Sequence, residues 1–139
     1  MHPDARRHLE AHIAGERAGD LDALMAALSN HPCYVVPGWV LDGREAVRTM
    51  YERALPLLSP ELSDEYLRAL DDPRVARWGS DHIVLEYTDD YPLHRGMVVV
   101  VHFDAEGRVR SENTYFATPE LVTRLGGVSY DGVPGARRV

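Results

Sequence analysis

The chain has 139 residues, enough for one domain around one core and too few for two. Its formal charge of −7 and its lack of any basic run exclude general attraction to nucleic acid or to anionic lipid, both of which are held by clustered cations. Apolar runs such as Met97 to Val101 are too short to span a bilayer, no charged-then-apolar leader opens the chain, and Cys33 is the single cysteine, so no membrane partner and a cytoplasmic setting are expected.

Between Pro3 and Arg17 the residues Ala5, His8, Leu9, His12, Ile13 and Glu16 share one helical face, and Gly19 ends that helix. Asp20 is placed to cap a second helix with the stripe Leu21, Leu24, Met25 and Leu28, stopped by Asn30 to Pro32. Cys33 to Val36 reads as a short strand turned by Pro37-Gly38 into Trp39-Val40-Leu41. Asp42 and Glu45 form an acidic capping pair for a third helix with Val47, Met50, Tyr51 and Ala54 on one face, and Pro56 ends it. Ser59 to Leu70 has the start chemistry of another helix. After Asp72-Pro73 the pattern turns extended: Arg74 to Trp78, Asp81 to Thr88, Leu93 to Phe103 and Arg108 to Phe116 read as consecutive antiparallel strands. Thr118-Pro119-Glu120 opens a terminal helix ending at Gly126-Gly127, and the Gly- and Pro-rich residues 128–139 are expected to lie on the surface. Helices first and a meander afterwards predict an α+β fold.

The order of Gly19-Asp20-Leu21-Asp22, the extended segment ending at Pro37, Gly43-Arg44-Glu45-Ala46-Val47-Arg48 with Tyr51, and the closing His102 to Val109 with Tyr115-Phe116 resembles the nuclear-transport-factor-2-like superfamily, nearest to SnoaL-like polyketide cyclases and ketosteroid isomerases. The resemblance implies one SnoaL-like domain over 1–139, built as a cone-shaped α+β barrel with helices packed in the concave side of a highly curved antiparallel sheet. It implies nothing specific about the reaction, because such folds host many activities. In ketosteroid isomerase, a worked example of tuned carboxyl groups, an aspartate base faces a tyrosine and a protonated aspartate. Aligned on the same residues, the base falls on Val36, the first-helix tyrosine on His12, the third-helix tyrosine on Tyr51 and the protonated aspartate on Val99, so that mechanism is not expected here.

The parity implied by the alignment turns Arg95, Met97, Val99 and Val101, then Arg110, Glu112, Thr114 and Phe116, into the concave face, joined by Val84 and Glu86. With Tyr34, Val36, Trp39, Tyr51 and His12 these describe an apolar cup carrying a few ionisable groups, the usual build of a small-molecule site. Glu112 is the first candidate for acid–base work, a desolvated carboxyl having its pKa raised toward neutrality; the competing reading is a structural pair with Arg110 or Arg95. His12 beside Tyr51 can polarise a carbonyl or can simply be a buried histidine satisfied by the Tyr51 hydroxyl. Glu86 is a second carboxyl that either divides acid and base roles with Glu112 or pairs with Arg95 to hold register.

Tyr34, Val36, Trp39, Val84, Met97, Val99, Thr114 and Phe116 are the expected substrate wall. His8, His12 and Glu16 recur along one helical face, a spacing open to metal ligation, but no HExxH or CxxC accompanies them and no metal or other cofactor is expected. His94 and His102 are assigned to the convex face, which with Ile83, Leu85 and Tyr87 is the expected homodimer surface. The expected activity is cofactor-free proton transfer on a small, mostly apolar carbonyl or polyketide-like molecule, as a cyclase, isomerase, dehydratase or epoxide hydrolase. A binding or dimerising module that has lost its chemistry, as the valines at 36 and 99 suggest, is the alternative.

Overall fold

Apolar residues at helical spacing open the chain. In the computed structural model, which describes residues 1–125 and 127–139, helix α1 (Ala5–Ala18) buries Ala5, Leu9, His12 and Ile13 along one face. It stops at Gly19, whose left-handed φ of 68° lets Gly19 and Asp20 turn their N–H groups back to the carbonyls of Glu16 and Gly15. The Asp20 carboxylate accepts the Ala23 N–H at 3.0 Å and starts α2 (Leu21–Ala26). The two helices touch at Gly15, where a Cβ would stand 2.7 Å from the Leu24 backbone nitrogen. Helix α2 is shorter than its apolar stripe predicts, because Leu28 pairs with Val109 and opens strand β1 (Leu28–Val36) instead of continuing the helix.

Strand β1 turns through Pro37-Gly38 into β2 (Trp39–Asp42). Asp42 does not cap the next helix: it accepts the His31 ring N–H at 2.9 Å, and Gly43, at φ 98°, takes the cap position of α3 (Arg44–Ala54) with no side-chain bond. Arg44 then ties the irregular stretch of β1 to the helices, donating to Ser29 O at 2.9 Å and Met25 O at 3.0 Å. A single 3-10 turn leads to α4 (Pro60–Ala69), with Ser59 in front and Pro60 inside its first turn.

Strands β3 (Ala76–Trp78), β4 (His82–Glu86), β5 (Val98–Phe103) and β6 (Val109–Tyr115) form the meander. The complete sheet has the order β3-β4-β5-β6-β1-β2-β7 and is antiparallel except where β6 runs parallel to β1. It is curved and unclosed, with α3 lying against β1 and β2, and α1 between β6 and helices α2 and α4. Helix α5 (Pro119–Leu125) is capped by Thr118 Oγ1, which accepts the Leu121 N–H at 3.3 Å; its expected stop at Gly126 lies outside the described residues. The segment from 128 onward does more than cover the surface. Tyr130 is buried edge-on against Trp39, ring centroids 5.4 Å apart, and β7 (Ala136–Arg138) adds an edge strand beside β2. Among the described residues no helix is long and apolar enough to cross a membrane.

The ladder decides which side chains face the helices. Val99 and Val101 point inward as expected, and Glu112 and Thr114, their partners on β6, share that face. On β4 the expected parity is reversed: Val99 pairs with Leu85 and Val101 with Ile83, so Ile83, Leu85 and Tyr87 are buried while Val84 and Glu86 face outward. The cause lies in the β4–β5 connection, where residues 88–96 form turns rather than strand, so that Glu86 pairs with Val98 instead of the Arg95 implied by a tight turn at Asp89 to Pro92, an odd offset of three residues that exchanges the two faces. Glu86 consequently pairs with Arg77 at 2.8 Å on the outer surface, and Arg95, in the turn, is exposed beside Asp89. A bulge opposite His102 and Phe103 turns Arg110 outward. Phe116 lies past the end of β6 with φ 58°, a left-handed residue that breaks the alternation and leaves its ring 79% exposed.

Candidate active site

The inward residues of β1, β5 and β6 face α1, α3 and α4 across a cavity of about 110 Å³. A benzene-sized guest occupies an engineered cavity of roughly 150 Å³, so this space suits about one six-membered ring. Its wall is mostly apolar, with Val36, Met50, Leu62, Met97 and Val99 prominent, and Leu121 and Leu125 of α5 at its edge. Tyr34, Val36, Tyr51, Met97, Val99, Glu112 and Thr114 all line it, where the alignment implies them. Trp39 does not. It lines an adjoining apolar groove with Val122, Val128 and Tyr130, under the Arg138 guanidinium at 4.7 Å, because β2 pairs with β7 and carries the indole to the far side of Val36. Val84, Glu86 and Phe116 are outside the cavity for the register reasons given above.

Beneath the cavity floor sits His12, fully buried. Its Nδ1–H donates to Leu24 O at 3.0 Å, and burial pushes its pKa down to about 4, so the ring is neutral and Nε2 carries its lone pair. Tyr51 Oη is 3.0 Å and Tyr34 Oη 3.3 Å from that nitrogen, and the two hydroxyls are 3.4 Å apart. One lone pair accepts one proton, so one phenol serves the imidazole and the other serves its neighbour or a guest in the cavity. Burial holds both phenols well above the usual tyrosine range, so they remain donors. His12 therefore positions the two tyrosines; it is not itself on the cavity wall.

Glu112 Oε2 is 3.6 Å from His12 Nε2 and accepts from Tyr66 Oη at 3.5 Å. A second carboxyl, Glu16, faces the same cavity from α1. Burial raises Glu112 to about 8, with the Glu16 charge adding to the rise, and burial raises Glu16 to about 7. The two titrate as a pair, the charge of one strengthening the other's hold on its proton. Glu16 and its helix-mate His12 were visible in sequence as one helical row, read there as possible metal ligands with His8. The His8 ring is instead engaged with Gly107 O at 2.8 Å, and no three His, Cys, Asp or Glu among the described residues are grouped to hold a metal ion. Tyr66 gave no signal beyond its place on the apolar face of α4. His94 is a correction: it lines the cavity from the turn before β5, because residues 88–96 fold inward over α4 instead of extending the strand.

These shifts make stability depend on pH in a defined sense. Both carboxyls are more easily protonated in the folded chain than at their ordinary 4.5, so folding stability falls as pH rises from about 4.5 through 8. His12 and His94, lowered from 6.5 to about 4, act oppositely, adding stability as pH rises from about 4 to 6.5. Of these four groups only the two carboxyls still contribute above 6.5. The melting temperature should drop between pH 6.5 and 8.5, and the Glu16→Gln/Glu112→Gln double variant should flatten that limb; an equally steep drop in the variant would show that both carboxyls ionise normally.

No family model matches the sequence, and no curated protein matches it. Solved structures match in shape over most of their length. The epoxide hydrolase/cyclase-like enzyme SalBIII, described for pyran ring formation in the polyether salinomycin, is 14% identical with a TM-score of 0.55, over 84% of this chain and 93% of that one. A protein of ketosteroid isomerase-like fold from Catenulispora acidiphila DSM 44928, solved with trimethylamine, is 16% identical with a TM-score of 0.55, over 91% and 95%. A SnoaL-like protein of unknown function from Burkholderia thailandensis E264 is 20% identical with a TM-score of 0.53, over 85% and 98%. The chain has the cone fold of the nuclear-transport-factor-2-like superfamily.

Proposed function

We propose that the chain is a cofactor-free acid–base catalyst acting on a small, mostly apolar molecule that carries a carbonyl or epoxide oxygen. The observation that carries this reading is the pairing of Glu16 and Glu112 in one greasy cavity, with burial holding both near neutrality. In this reading Glu112, beside the Tyr66 hydroxyl and His12, keeps the shared proton and is the acid, and Glu16 is the base. With an epoxide, the ring oxygen takes the Glu112 proton as its C–O bond breaks. A hydroxyl or water oxygen forms the new C–O bond and passes its proton to Glu16. With a ketone, the same pair removes an α-proton at Glu16 while Glu112 or a phenol of the Tyr34–Tyr51 pair protonates the oxygen. The first reaction has the character of the activity described for SalBIII.

The test uses ring closure of 4,5-epoxypentan-1-ol, followed by gas chromatography, and exchange of the α-hydrogens of cyclohexanone in D2O, followed by NMR. Acceleration of either over buffer, abolished by Glu112→Gln, supports the reading. Rates equal to buffer for both, with the ketone nonetheless bound, would leave a binding module, the reading favoured by the valines at 36 and 99 in the cavity wall.

Pairing of two copies belongs to the outer sheet face. Its apolar strip is Val84, Val98 and Val100, flanked by Tyr115, and not the buried Ile83, Leu85 and Tyr87. Sedimentation equilibrium should give a doubled mass that Val98→Glu reduces to that of one chain; a single-chain mass without the substitution removes this surface from consideration.

A further inference from the structure

Among the described residues, His94 is the imidazole that lines the cavity, and the acid–base pair does not use it. It comes from the turn between β4 and β5, is 6% exposed, and lies flat on Tyr87 with ring centroids 4.4 Å apart and an interplanar angle of 17°. The stack fixes the plane of the imidazole. Its Nδ1 is shut away from solvent with no hydrogen-bond partner among the described residues, the nearest charged group being Glu65 Oε2 at 3.8 Å. Glu65 is itself held in place, both carboxylate oxygens accepting the Leu93 N–H, at 3.1 and 3.0 Å. A carboxylate on the Nδ1 side favours the tautomer with its proton there, which leaves the lone pair on Nε2, the edge of the ring free to meet the cavity. Burial pushes the His94 pKa down to about 4, so the ring is an uncharged acceptor at neutral pH.

We propose that His94 is a second anchoring residue: through Nε2 it accepts a hydrogen bond from a hydroxyl group on a substrate that also carries the carbonyl or epoxide oxygen met by Glu112. The preferred substrates are therefore hydroxy-ketones or epoxy-alcohols rather than plain ketones or epoxides. The inference rests on the same cavity being the ligand site. His94 shares a mostly apolar cavity wall with Leu62, Met97 and Leu121, so a hydroxyl that enters without the imidazole has few groups to replace the water it leaves.

The test compares cyclohexanone with 4-hydroxycyclohexanone by NMR titration of uniformly 15N-labelled protein, with binding read at the backbone amides of cavity residues and the hydrogen bond at the histidine ring nitrogens. In the unsubstituted chain the hydroxy-ketone should bind about fivefold more tightly, the worth of one net hydrogen bond, and only it should move the His94 ring nitrogen resonance. His94→Phe keeps a flat ring against Tyr87 without a nitrogen; it should still bind cyclohexanone but lose the preference. His94→Gln, which restores an acceptor, should keep part of it. Equal binding of the two ketones with a still His94 resonance, or a preference that survives in His94→Phe, overturns the inference and leaves the acid–base site standing. Absence of any shift at cavity residues with either ketone overturns both. The resonance of the unsubstituted chain decides the matter even if a variant fails to fold.

Discussion

Replacing Glu112 with glutamine should lower kcat roughly 100- to 10,000-fold, the usual contribution of a positioned proton donor, while KM changes little because the amide keeps the shape and still accepts from Tyr66. The same change should raise the melting temperature at pH 8.5, since it removes a carboxyl that the cavity holds protonated up to about 8. Lost activity together with gained stability is a signature that misfolding cannot produce. The pH profile sharpens the assignment. With both carboxyls raised toward neutrality and titrating as a pair, kcat/KM should rise as the pair loses its first proton and fall as it loses its second, and Glu16→Gln should erase the acid limb. Turnover in Glu112→Gln within threefold of the unsubstituted chain would remove the acid from the scheme.

Ile83→Ala should destabilise the chain by about 3 kcal/mol, whereas Val84→Ala, one residue along the same strand, should cost under about 1 kcal/mol. Ile83 is fully buried opposite Val101, and its truncation opens space in a core that relaxes only in part. Val84 is half-buried on the outer face opposite Val100 and loses contacts with little cavity behind them. Urea unfolding measures both. Similar costs at the two positions, or a larger one at Val84, would place β4 in the other register and return Glu86 to the cavity side.

That strand marks where the sequence stops being legible. In the last hairpin the faces are those the alignment implies: a bulge opposite His102 and Phe103 interrupts the alternation at Arg110, yet Glu112, Thr114, Val99 and Met97 stand on the cavity wall where the resemblance puts them. Strand β4 is joined to β5 through residues 88–96, where Tyr91 and His94 turn inward, and alternation counted across such a stretch carries no information about face. Ile83, Leu85 and Tyr87 are as apolar as Val84, so composition did not correct the error. Phe116 failed for a local reason, a left-handed residue that no pattern announces, and Trp39 because its partner Tyr130 lies in a segment with no periodicity. Glu16 was missed in its role although its position was known: a carboxyl on an otherwise apolar helical face, four residues from a buried histidine, is a desolvated group before it is a metal ligand.

The three-residue strand at 136–138 has a consequence for how copies of the chain meet. Trp39 to Leu41 would otherwise present an open row of peptide donors and acceptors at the rim of the sheet, a template on which a strand from any neighbouring molecule can dock. A protease that clips this strap would thus do more than shorten the polypeptide: it would unveil a sticky seam, and clumping of the nicked form would follow even with the apolar hollow intact.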